Sequence, residues 1–332
     1  MKVLIIGGCG YVGSAIGKHL ADKHEITNVD LEWFGNHSYA HTINMDYNDL
    51  TPKFLEQFNV VILTAGHSSV KMCDTDLQSS FNNNVRNFVN LTNKLTTQKF
   101  IYASSASVYG NTSETEIAED NVNFSPINYY DMTKLHIDHI MHLSPLDYYG
   151  LRFGTVNGPA PSIRTDVMIN AMVNTAMQKG EIHVFNADTR RSILGINDLC
   201  RAVDTIIDDN IMSNRGIYNT ASFTNTAGEI ATAVGKHANV PVIDKDPPSV
   251  IFNEKLQNKT YDFGISTAKF ERTFNFKIAP PSTMLSTNSG FFSAKFLIRI
   301  VPKEIPIKWD FLIFKYSKTY FPARRCGHRF KN

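Results

Sequence analysis

Cysteine is scarce in this sequence, and long apolar runs are missing. The 332 residues contain four cysteines, Cys9, Cys73, Cys200 and Cys326, and no C-x-x-C pair. We therefore expect free thiols in a reducing cytoplasm rather than a disulfide framework. No run approaches the roughly 20 apolar residues that a membrane span needs, and the N-terminal run VLII is too short for a secretory signal. With a net charge of +2, overall charge indicates no particular partner, and no nucleic acid is expected.

Short apolar runs alternate with helix-like segments in the first half of the chain. The runs at 2–6, 25–30, 60–65, 99–104 and 148–153 are continuous, which is typical of strands buried on both faces of a parallel sheet. Helices are predicted between them, at 11–23, around 74–95 and at 129–142. This alternation predicts an α/β fold, a doubly wound parallel sheet of the Rossmann type over residues 1–154.

The pattern loosens after this sheet. Residues 155–280 are predicted to form a smaller α/β lobe that holds the substrate, with helices near 166–178, 197–209 and 226–237. Residues 281–332 form a tail with ten Lys/Arg, two Asp/Glu and ten aromatic residues. Two interpretations of the tail stay open: a C-terminal segment packed on the lobe, or a basic aromatic surface that contacts anionic lipid or another protein.

The segment GGCGYVG at 7–13 connects the first predicted strand to the first predicted helix. Gly7, Gly10 and Gly13 suit a tight turn, close backbone approach to a pyrophosphate and close packing of helix on strand. Free N–H groups at the start of the helix, at Tyr11 and Val12, would then face the phosphates. The pattern predicts a dinucleotide site, with a tight turn that binds no ligand as the alternative.

Asp30 ends the second predicted strand, near the spacing expected for the acid that binds the adenosine ribose. A carboxylate there accepts hydrogen bonds from the ribose hydroxyls and repels a 2′-phosphate. No Lys or Arg occurs at 31–41, so NAD is predicted rather than NADP; a turn cap is the alternative role for Asp30. Other residues near strand ends are expected to line the cofactor site: Asp46, Tyr47, Thr64, Ala65 and Gly66.

Tyr130 and Lys134 are four residues apart and share one face of a predicted helix. A free tyrosine has a pKa near ~10, and an adjacent ammonium together with a positive nicotinamide is expected to lower it. Tyr130 could then take the proton of a substrate alcohol as hydride leaves. Lys134 would also hold the nicotinamide ribose, and Ser105 would bond the same substrate oxygen. A chance pair is the alternative, and Tyr129 is a weaker rival because Thr133 stands four residues after it.

These motifs together resemble one family. The matching segments, in order over roughly residues 1–280, are GGCGYVG at 7–13, Asp30, NNNV at 82–85, SSASVYG at 104–110, YDMTK at 130–134, LRFGTVNGP at 151–159 and RSILGINDL at 191–199. The chain resembles the extended short-chain dehydrogenases/reductases of the NAD-dependent nucleotide-sugar epimerase/dehydratase family, and among them the UDP-glucose 4-epimerase-like members.

The resemblance implies further roles. Asn84 and Ser104 would contact the cofactor, and Thr155 and Val156 would belong to a loop that closes over nicotinamide and sugar. Arg191 would grip the diphosphate of a nucleotide sugar, with Arg190 as the alternative one position away. The sugar would meet four further positions: Ser105, Ala106, Ser107 and Thr155. The helix near 74–95 and the helix that begins near 130 would form a homodimer interface, with a monomer as the alternative.

The reaction is narrowed by two small residues. Dehydratases of this family carry an Asp-Glu pair before V-Y-G, and the decarboxylases typically place a Glu there, whereas this chain has Ala106 and Ser107. Elimination is therefore disfavoured, and the resemblance implies a 4-epimerase. Such an enzyme uses tightly bound NAD to oxidise a sugar hydroxyl to a ketone and then reduces it on the other face. The segment at 191–198 lacks the Asp and His of the family pattern R-D-x-x-H-V-x-D, which leaves the nucleotide open.

Two other functions stay open: a one-way NAD-dependent sugar dehydrogenase or reductase, and a non-catalytic NAD-binding regulatory or scaffold protein. The presence of Tyr130 and Lys134 weighs against the second. His136, His139 and His142 recur at helical spacing. We interpret them as a polar helix face and expect no metal, because the proposed hydride chemistry needs none.

Overall fold

The computed structural model describes residues 1–112, 114–245 and 261–279. Its strands are β1 (Lys2–Ile6), β2 (Glu25–Asp30), β3 (His41–Asn44), β4 (Val60–Leu63), β5 (Lys99–Ser105), β6 (Tyr148–Phe153), β7 (Thr155–Asn157), β8 (Ile182–Phe185), β9 (Arg190–Gly195), β10 (Gly216–Thr220), β11 (Phe223–Thr226) and β12 (Val242–Lys245). Its α-helices are α1 (Tyr11–Leu20), α2 (Pro52–Leu55), α3 (Val70–Thr75), α4 (Leu77–Phe81), α5 (Asn87–Thr92), α6 (Tyr129–His142), α7 (Met168–Lys179), α8 (Ile196–Asp208), α9 (Ala227–Ala238) and α10 (Ala268–Phe274).

Seven strands form one parallel sheet in the order β10-β6-β5-β4-β1-β2-β3. The predicted doubly wound α/β fold is confirmed. The continuous apolar runs form its central strands, and Val3 to Ile6 are at most 1% exposed. The strand order reverses between β1 and β4, which opens a crevice at the carboxyl ends of these strands where parallel sheets bind ligands.

Helices cover both faces of this sheet. One apolar core contains residues of α1, α8 and α10, and the opposite core contains residues of α2, α5 and α6. A face of the sheet is buried only when a helix supplies an apolar stripe against it. Covering both faces removes the strands from water and fixes their carboxyl ends as a rigid edge for a site.

The helix predicted around 74–95 is interrupted. Asp76 has an extended backbone, and its carboxylate accepts a hydrogen bond from the Ser79 N–H group at the start of α4. A short π-helical turn, Asn82–Arg86, follows before α5. The extended backbone of Asp76 therefore ends α3, and its carboxylate caps the start of α4. The apolar periodicity did not reveal this break.

A smaller lobe packs α7 and α9 on short strands. The strands β11, β9 and β7 form one small sheet and β12 pairs with β8, around a core of residues such as Val173, Ile182 and Val234. The strand β10 lies at the edge of the large sheet, and α8 packs against α1, so segments after residue 155 contribute to both lobes. The predicted tail at 281–332, with Cys326, lies outside the described residues. In the described part, no helix is both long and apolar enough to cross a membrane.

Candidate cofactor and active site

The glycine segment turns tightly between β1 and α1. Gly7 has a φ of +90°, and a Cβ there would lie 2.4 Å from the backbone nitrogen of Ala65. A Cβ at Gly13 would lie 2.1 Å from the carbonyl oxygen of Gly7. Any side chain at either position would force the turn away from α1 or from the loop after β4. The first and third glycines of the motif thus have the steric roles that the sequence predicted.

The N-terminus of α1 has no side-chain cap. Gly10 occupies the cap position in an extended conformation and offers no acceptor atom to the first N–H groups of the helix. Gly10 and Val12 line a cleft of about 800 Å³ at the carboxyl ends of β1 and β4. A glycine cradle with free helix N–H groups fits the pyrophosphate of a dinucleotide. Tyr11 also lines this cleft, and its hydroxyl donates to Gly158 O at 2.7 Å.

Asp30 stands at the end of β2 and lines the same cleft. Its Oδ2 accepts from Cys9 N at 2.9 Å and its Oδ1 from Glu32 N at 2.7 Å. The carboxylate therefore braces the glycine turn, which is the capping alternative. An ionised carboxylate has about four lone-pair sites, so two remain for ribose hydroxyls and the predicted role is still available.

An aromatic loop follows Asp30 and was missed from the sequence. Trp33 and Phe34 line the cleft and are 53% and 67% exposed, and the Trp33 ring meets the His67 ring edge-on at 5.5 Å. Two aromatic residues directly after the ribose acid were the available indication. Tyr47 also lines the cleft, and its hydroxyl donates to Asn83 O. Asp46 instead caps a short turn by accepting from Asn48 N at 2.8 Å, and it is not a lining residue of this cleft.

The segment after β4 closes the other side of the cleft. Thr64 and Ala65 donate their N–H groups to Ile6 O at 2.8 and 2.9 Å, which places both beside the glycine turn. Gly66 has a φ of +149°, and a Cβ there would lie 2.7 Å from Asn84 Oδ1. The small side chains predicted here therefore allow a close approach of two backbone segments.

Asn84 uses its side chain within the protein. Its Oδ1 accepts from His67 N at 2.8 Å, and its Nδ2 donates to His67 O and to Thr133 Oγ1, both at 3.1 Å. It fastens the loop after β4 to α6. The cofactor contact predicted for Asn84 stays a prediction, and the bracing role was not foreseen.

Ser105, Tyr130 and Lys134 meet at the carboxyl end of β5. Ser105 ends this strand and is a hydrogen-bond partner of Tyr130, which lies in the first turn of α6. One turn later, Lys134 Nζ donates to Ala103 O at 2.7 Å and lies 5.8 Å from the centre of the Tyr130 ring. Asn128 begins α6, because its side chain accepts from Asp131 N. The structure thus brings together all three predicted catalytic residues.

The pKa of Tyr130 in the protein without its cofactor is set by burial, and the lowering predicted with a positive nicotinamide in place stays a prediction. Burial raises the pKa of Tyr130 to about 12, although the hydrogen bond from Ser105 opposes this shift. Burial also lowers the pKa of Lys134 to about 8. Loss of water disfavours the charged form of both groups, and it is the largest cause of both pKa shifts.

The residues predicted to contact the sugar differ in their solvent exposure. Ala106 is 2% exposed and packs among Ile117, Phe263 and Ile265. Ser107 is partly exposed, and its hydroxyl oxygen lies 2.7 Å from Ser105 Oγ. Ala106 therefore shapes the site from behind, whereas Ser107 belongs to the group around Tyr130.

Two more predicted positions lie on β7, and one more lies on β5 of the large sheet. Thr155 and Val156 pair in register with Ile193 and Leu194 of β9 and are partly exposed. Ser104 is 2% exposed, and its Oγ has no hydrogen-bond partner among the residues that the structure describes. The cofactor contacts implied for these three residues stay predictions.

The two candidate arginines have different partners. Arg190 forms a two-pronged ion pair with Asp262, at 2.9 Å from Nε to Oδ1 and 3.0 Å from the guanidinium to Oδ2. Arg191 instead donates to the backbone oxygen of Tyr261 and lies 5.9 Å from that ring centre. Among the described residues, no carboxylate forms an ion pair with Arg191. Burial lowers the pKa of Arg191.

Three further functional candidates were not predicted from the sequence: Arg164, Asp131 and Tyr261. Arg164 lines the cleft and donates to Ser68 O at 3.2 Å, joining the loops after β7 and β4 across the cleft. Asp131 is fully buried beside Tyr130, and Tyr261 donates its hydroxyl proton to it at 2.9 Å. These contacts join residues up to 130 positions apart, so no local pattern reports them.

Comparison with known proteins gives consistent matches. The chain matches the model of the NAD dependent epimerase/dehydratase family over residues 3–221. Protein CapI of Staphylococcus aureus is 29% identical over 234 residues, which are 62% of this chain and 69% of that protein. The UDP-glucose 4-epimerase of Lactobacillus helveticus is 24% identical over 245 residues, 66% of this chain and 74% of that enzyme. The UDP-glucuronic acid 4-epimerase of Bacillus cereus, solved with UDP-glucuronic acid and NAD, shares the fold with a TM-score of 0.75 and 18% identity, over 91% of this chain and 100% of that chain.

Proposed function

The chain belongs to the NAD dependent epimerase/dehydratase family, and from this membership we propose that it is a nucleotide-sugar 4-epimerase. NAD is the cofactor of this family, as the sequence predicted. The observation that carries the proposal is the group Ser105, Tyr130 and Lys134 at the carboxyl end of β5. The two positions that follow Ser105 in the chain, 106 and 107, hold no acidic residue. Epimerisation needs a base that takes the proton of the sugar hydroxyl and a carrier that holds the hydride. Elimination also needs an acid–base group placed beside the sugar carbon that loses its substituent.

The cleft fits NAD at the residues that face it. Gly7, Gly10 and Gly13 would cradle the pyrophosphate at the start of α1, and Asp30 would accept the ribose hydroxyls. When bound, NAD supplies the hydride acceptor for the sugar carbon and a positive ring that favours the phenolate of Tyr130. The carboxylate of Asp30 and the lack of Lys or Arg at 31–41 disfavour a 2′-phosphate.

In this proposal the side chains of the protein accept and return the proton of the sugar hydroxyl. Tyr130 Oη would take the proton of the sugar hydroxyl during oxidation and return it when the ketone is reduced on its other face. Lys134, held by Ala103 O, keeps a positive charge near the phenol ring. Because the proton returns to the sugar, one turnover leaves no net change of protons in solution.

A nucleotide-diphosphate sugar is the proposed substrate. The Arg190 guanidinium is engaged by Asp262, which supports Arg191 as the residue that meets the diphosphate. A partly buried guanidinium without a carboxylate partner binds phosphate oxygens strongly, because its planar donors match them in pairs. The names of the relatives suggest a uridine nucleotide as the first probe.

A homodimer through α4 and α6 belongs to the same proposal. Phe81 and Met132 are 47% and 39% exposed on this surface, and the Phe81 ring meets the His136 ring at 6.5 Å. Apolar exposure of this kind favours burial against a partner. Phe81→Glu is expected to halve the mass measured by light scattering.

The buried free thiols of Cys9, Cys73 and Cys200 favour a reducing compartment such as the cytoplasm.

A product panel tests the reaction. The purified protein is incubated with UDP-glucose, UDP-galactose, UDP-N-acetylglucosamine and UDP-glucuronic acid, products are separated by chromatography, and NADH is followed by absorbance. A new epimer without net NADH is expected. Net NADH would instead indicate the one-way dehydrogenase, a 4-keto product an eliminating enzyme, and NAD binding without turnover a scaffold; each of these outcomes contradicts the proposal.

A pair of tyrosine variants tests the base. Tyr130→Phe is expected to lower kcat by about 10² to 10⁴, the usual contribution of general acid–base catalysis. Tyr129→Phe is the matched control, because Tyr129 precedes the base on the same helix and is 54% exposed. Equal activity of the two variants would refute the assignment.

A further inference from the structure

A group of histidine and aspartate side chains lies where the turn after α1 meets α8. His24 stands in this turn, directly before β2, and Asp204 and Asp208 are four residues apart on α8, so they share one face of that helix. The nitrogen or oxygen atoms of the three side chains lie within 4.8 Å of one another. In the part of the chain that the structure describes, this is the one group of His, Cys, Asp and Glu residues close enough to share a metal ion. The length of α1, about 15 Å, separates the group from the glycine turn of the cofactor cleft.

Two atoms of this group are buried without a partner. The His24 side chain is 7% exposed and that of Asp204 is 13% exposed. Among the described residues, neither His24 Nε2 nor Asp204 Oδ1 has a hydrogen-bond partner, and the two atoms lie 4.0 Å apart. This separation is too long for a hydrogen bond between them. Because a buried polar atom without a partner costs free energy, the pair of atoms points to a further group that both of them bind.

The local charge favours a cation as that group. Asp208 lies in the last turn of α8, where the helix dipole is negative, and no Lys, Arg or His occupies that turn. Asp204 adds a like charge on the same helix face, which is unfavourable. Lys23 and His19 both contact Asp204 at Oδ2, the latter at 3.4 Å, and leave Oδ1 open. Asp208 forms no ion pair with any described residue, so the negative charge here is only partly balanced.

The donor atoms suit zinc. Imidazole nitrogen and carboxylate oxygen bind Zn²⁺ at about 2.0–2.2 Å, whereas Ca²⁺ and Mg²⁺ take oxygen ligands. Ligand atoms of a tetrahedral zinc site lie roughly 3.4 Å apart, so the 4.0 Å between His24 Nε2 and Asp204 Oδ1 has to shorten by about 0.6 Å. Side-chain rotation supplies such a change, and Asp208 is exposed and free to turn inwards. Three protein ligands leave the fourth position of a tetrahedral ion to water.

The orientation of the His24 ring agrees with this use of Nε2. Its other nitrogen, Nδ1, lies 3.5 Å from the amino nitrogen of Met1. With a metal on Nε2, the ring proton would lie on Nδ1, where the Met1 amine in its uncharged form accepts it. A metal-binding histidine usually has such a partner for its second nitrogen.

We propose that His24, Asp204 and Asp208 bind a divalent transition-metal ion, of which Zn²⁺ is the best match, and that this ion fastens the turn between α1 and β2 to the C-terminal end of α8. The ligands come from segments about 180 positions apart in the chain and meet only in the folded protein. Binding therefore stabilises the folded state. No step of the proposed hydride transfer uses this ion, so the inference does not depend on the proposed function.

Calorimetric titration with zinc chloride tests the site. The untagged full chain is treated with a chelator, which is removed before the titration. We expect one zinc ion per chain with a Kd in the micromolar range, and a melting temperature raised by about 3–5 °C when free zinc is a hundredfold above Kd. Binding only at millimolar zinc would overturn the proposal.

Substitutions locate the bound ion. His24→Asn and Asp208→Asn should each weaken zinc binding at least tenfold, and Asp208 is exposed, so its variant serves if His24→Asn does not fold. Asp22→Asn is the matched control, because Asp22 is exposed in the same turn and outside the group; its affinity should equal that of the wild type. Lys23→Ala should strengthen binding severalfold, because it removes an ammonium group that competes for Asp204. Equal affinity of Asp208→Asn and wild type would place the zinc elsewhere in the chain and refute the site.

Cobalt(II) chloride in place of zinc reports the kind of ligand. A cobalt ion held by one imidazole and two carboxylates should absorb in the visible range without a thiolate charge-transfer band in the near ultraviolet. His24→Asn should abolish the visible band. A thiolate band would show that cysteines hold the metal and would contradict the assignment.

Discussion

The Arg152–Asp138 pair beneath the active site offers a sharp test of how this fold holds charge in its interior. Arg152 Nε lies 2.7 Å from Asp138 Oδ2, and the two residues are 3% and 0% exposed. The remaining acceptor of Asp138 binds Tyr102 Oη at 3.1 Å, and Arg152 also donates to Tyr109 Oη at 2.8 Å. The pair joins β6 to α6, the helix that carries Tyr130 and Lys134.

The magnitudes decide what each substitution does. At 2.7 Å and an effective dielectric constant of about 20, the attraction is about 6 kcal/mol. Desolvation costs several kcal/mol for each ion, so the pair contributes little net stability. Removing one partner leaves the other charge buried alone, and we expect Asp138→Leu or Arg152→Met to lower the free energy of unfolding by about 3–5 kcal/mol.

Urea unfolding followed by circular dichroism measures the effect in a double-mutant cycle. The double variant should lose much less than the sum of the singles, because neither charge is left unpaired. Asp166→Asn is the control, since the Arg164–Asp166 pair is more exposed and should cost at most about 1 kcal/mol. Single losses below about 1 kcal/mol, or an additive double variant, would refute this account of the interior.

Three further predictions concern the cofactor turn, the active-site lysine and a helix of the small lobe. Gly13→Ala places a Cβ 2.1 Å from Gly7 O and should weaken NAD binding more than tenfold by calorimetry, whereas Gly17→Ala, with 3.5 Å to its nearest neighbour, should leave binding unchanged. Lys134→Met should stabilise the fold below pH 8, because the pKa of Lys134 falls to about 8 on folding and the buried charge is therefore unfavourable there. The wild type gains stability only as the pH rises from about 8 towards the pKa of the unfolded chain, ~10.4. A pH series of thermal unfolding that shows no difference between variant and wild type would contradict this prediction. Thr226→Ala removes the cap of α9 and should cost about 1 kcal/mol in urea unfolding, whereas Thr226→Ser should be close to neutral.

The large sheet and the cofactor turn were predictable because their causes are local. Continuous apolar runs indicate buried parallel strands, and the glycines at 7 and 13 are fixed by backbone distances that recur wherever this turn occurs. Tyr130 and Lys134 needed only helical spacing. The break of the predicted helix at Asp76 escaped the periodicity, because a single carboxylate that accepts from Ser79 N decides it.

The remaining features depend on contacts between distant segments. In the sequence, Asp131 looks like an ordinary helix residue. Its contact with Tyr261, which lies 130 positions later in the chain, appears only in the structure. The pKa of Tyr130 depends on how much water the folded protein removes from the phenol, which four-residue spacing does not report. Arg190 and Arg191 were indistinguishable in sequence, and Asp262, which pairs with Arg190, separated them.

The return of β10 to the edge of the large sheet makes the molecule indivisible. The chain leaves β6 for the small lobe, comes back as α8 and β10, leaves again, and comes back once more as α10. Leu199, Val203 and Phe270 therefore share one apolar core with residues of β1 and β4 that lie more than a hundred positions away in the chain. A fragment cut at residue 154 would expose that surface to water and aggregate. Any truncation or fusion that respects the fold has to keep 1–279 as one piece.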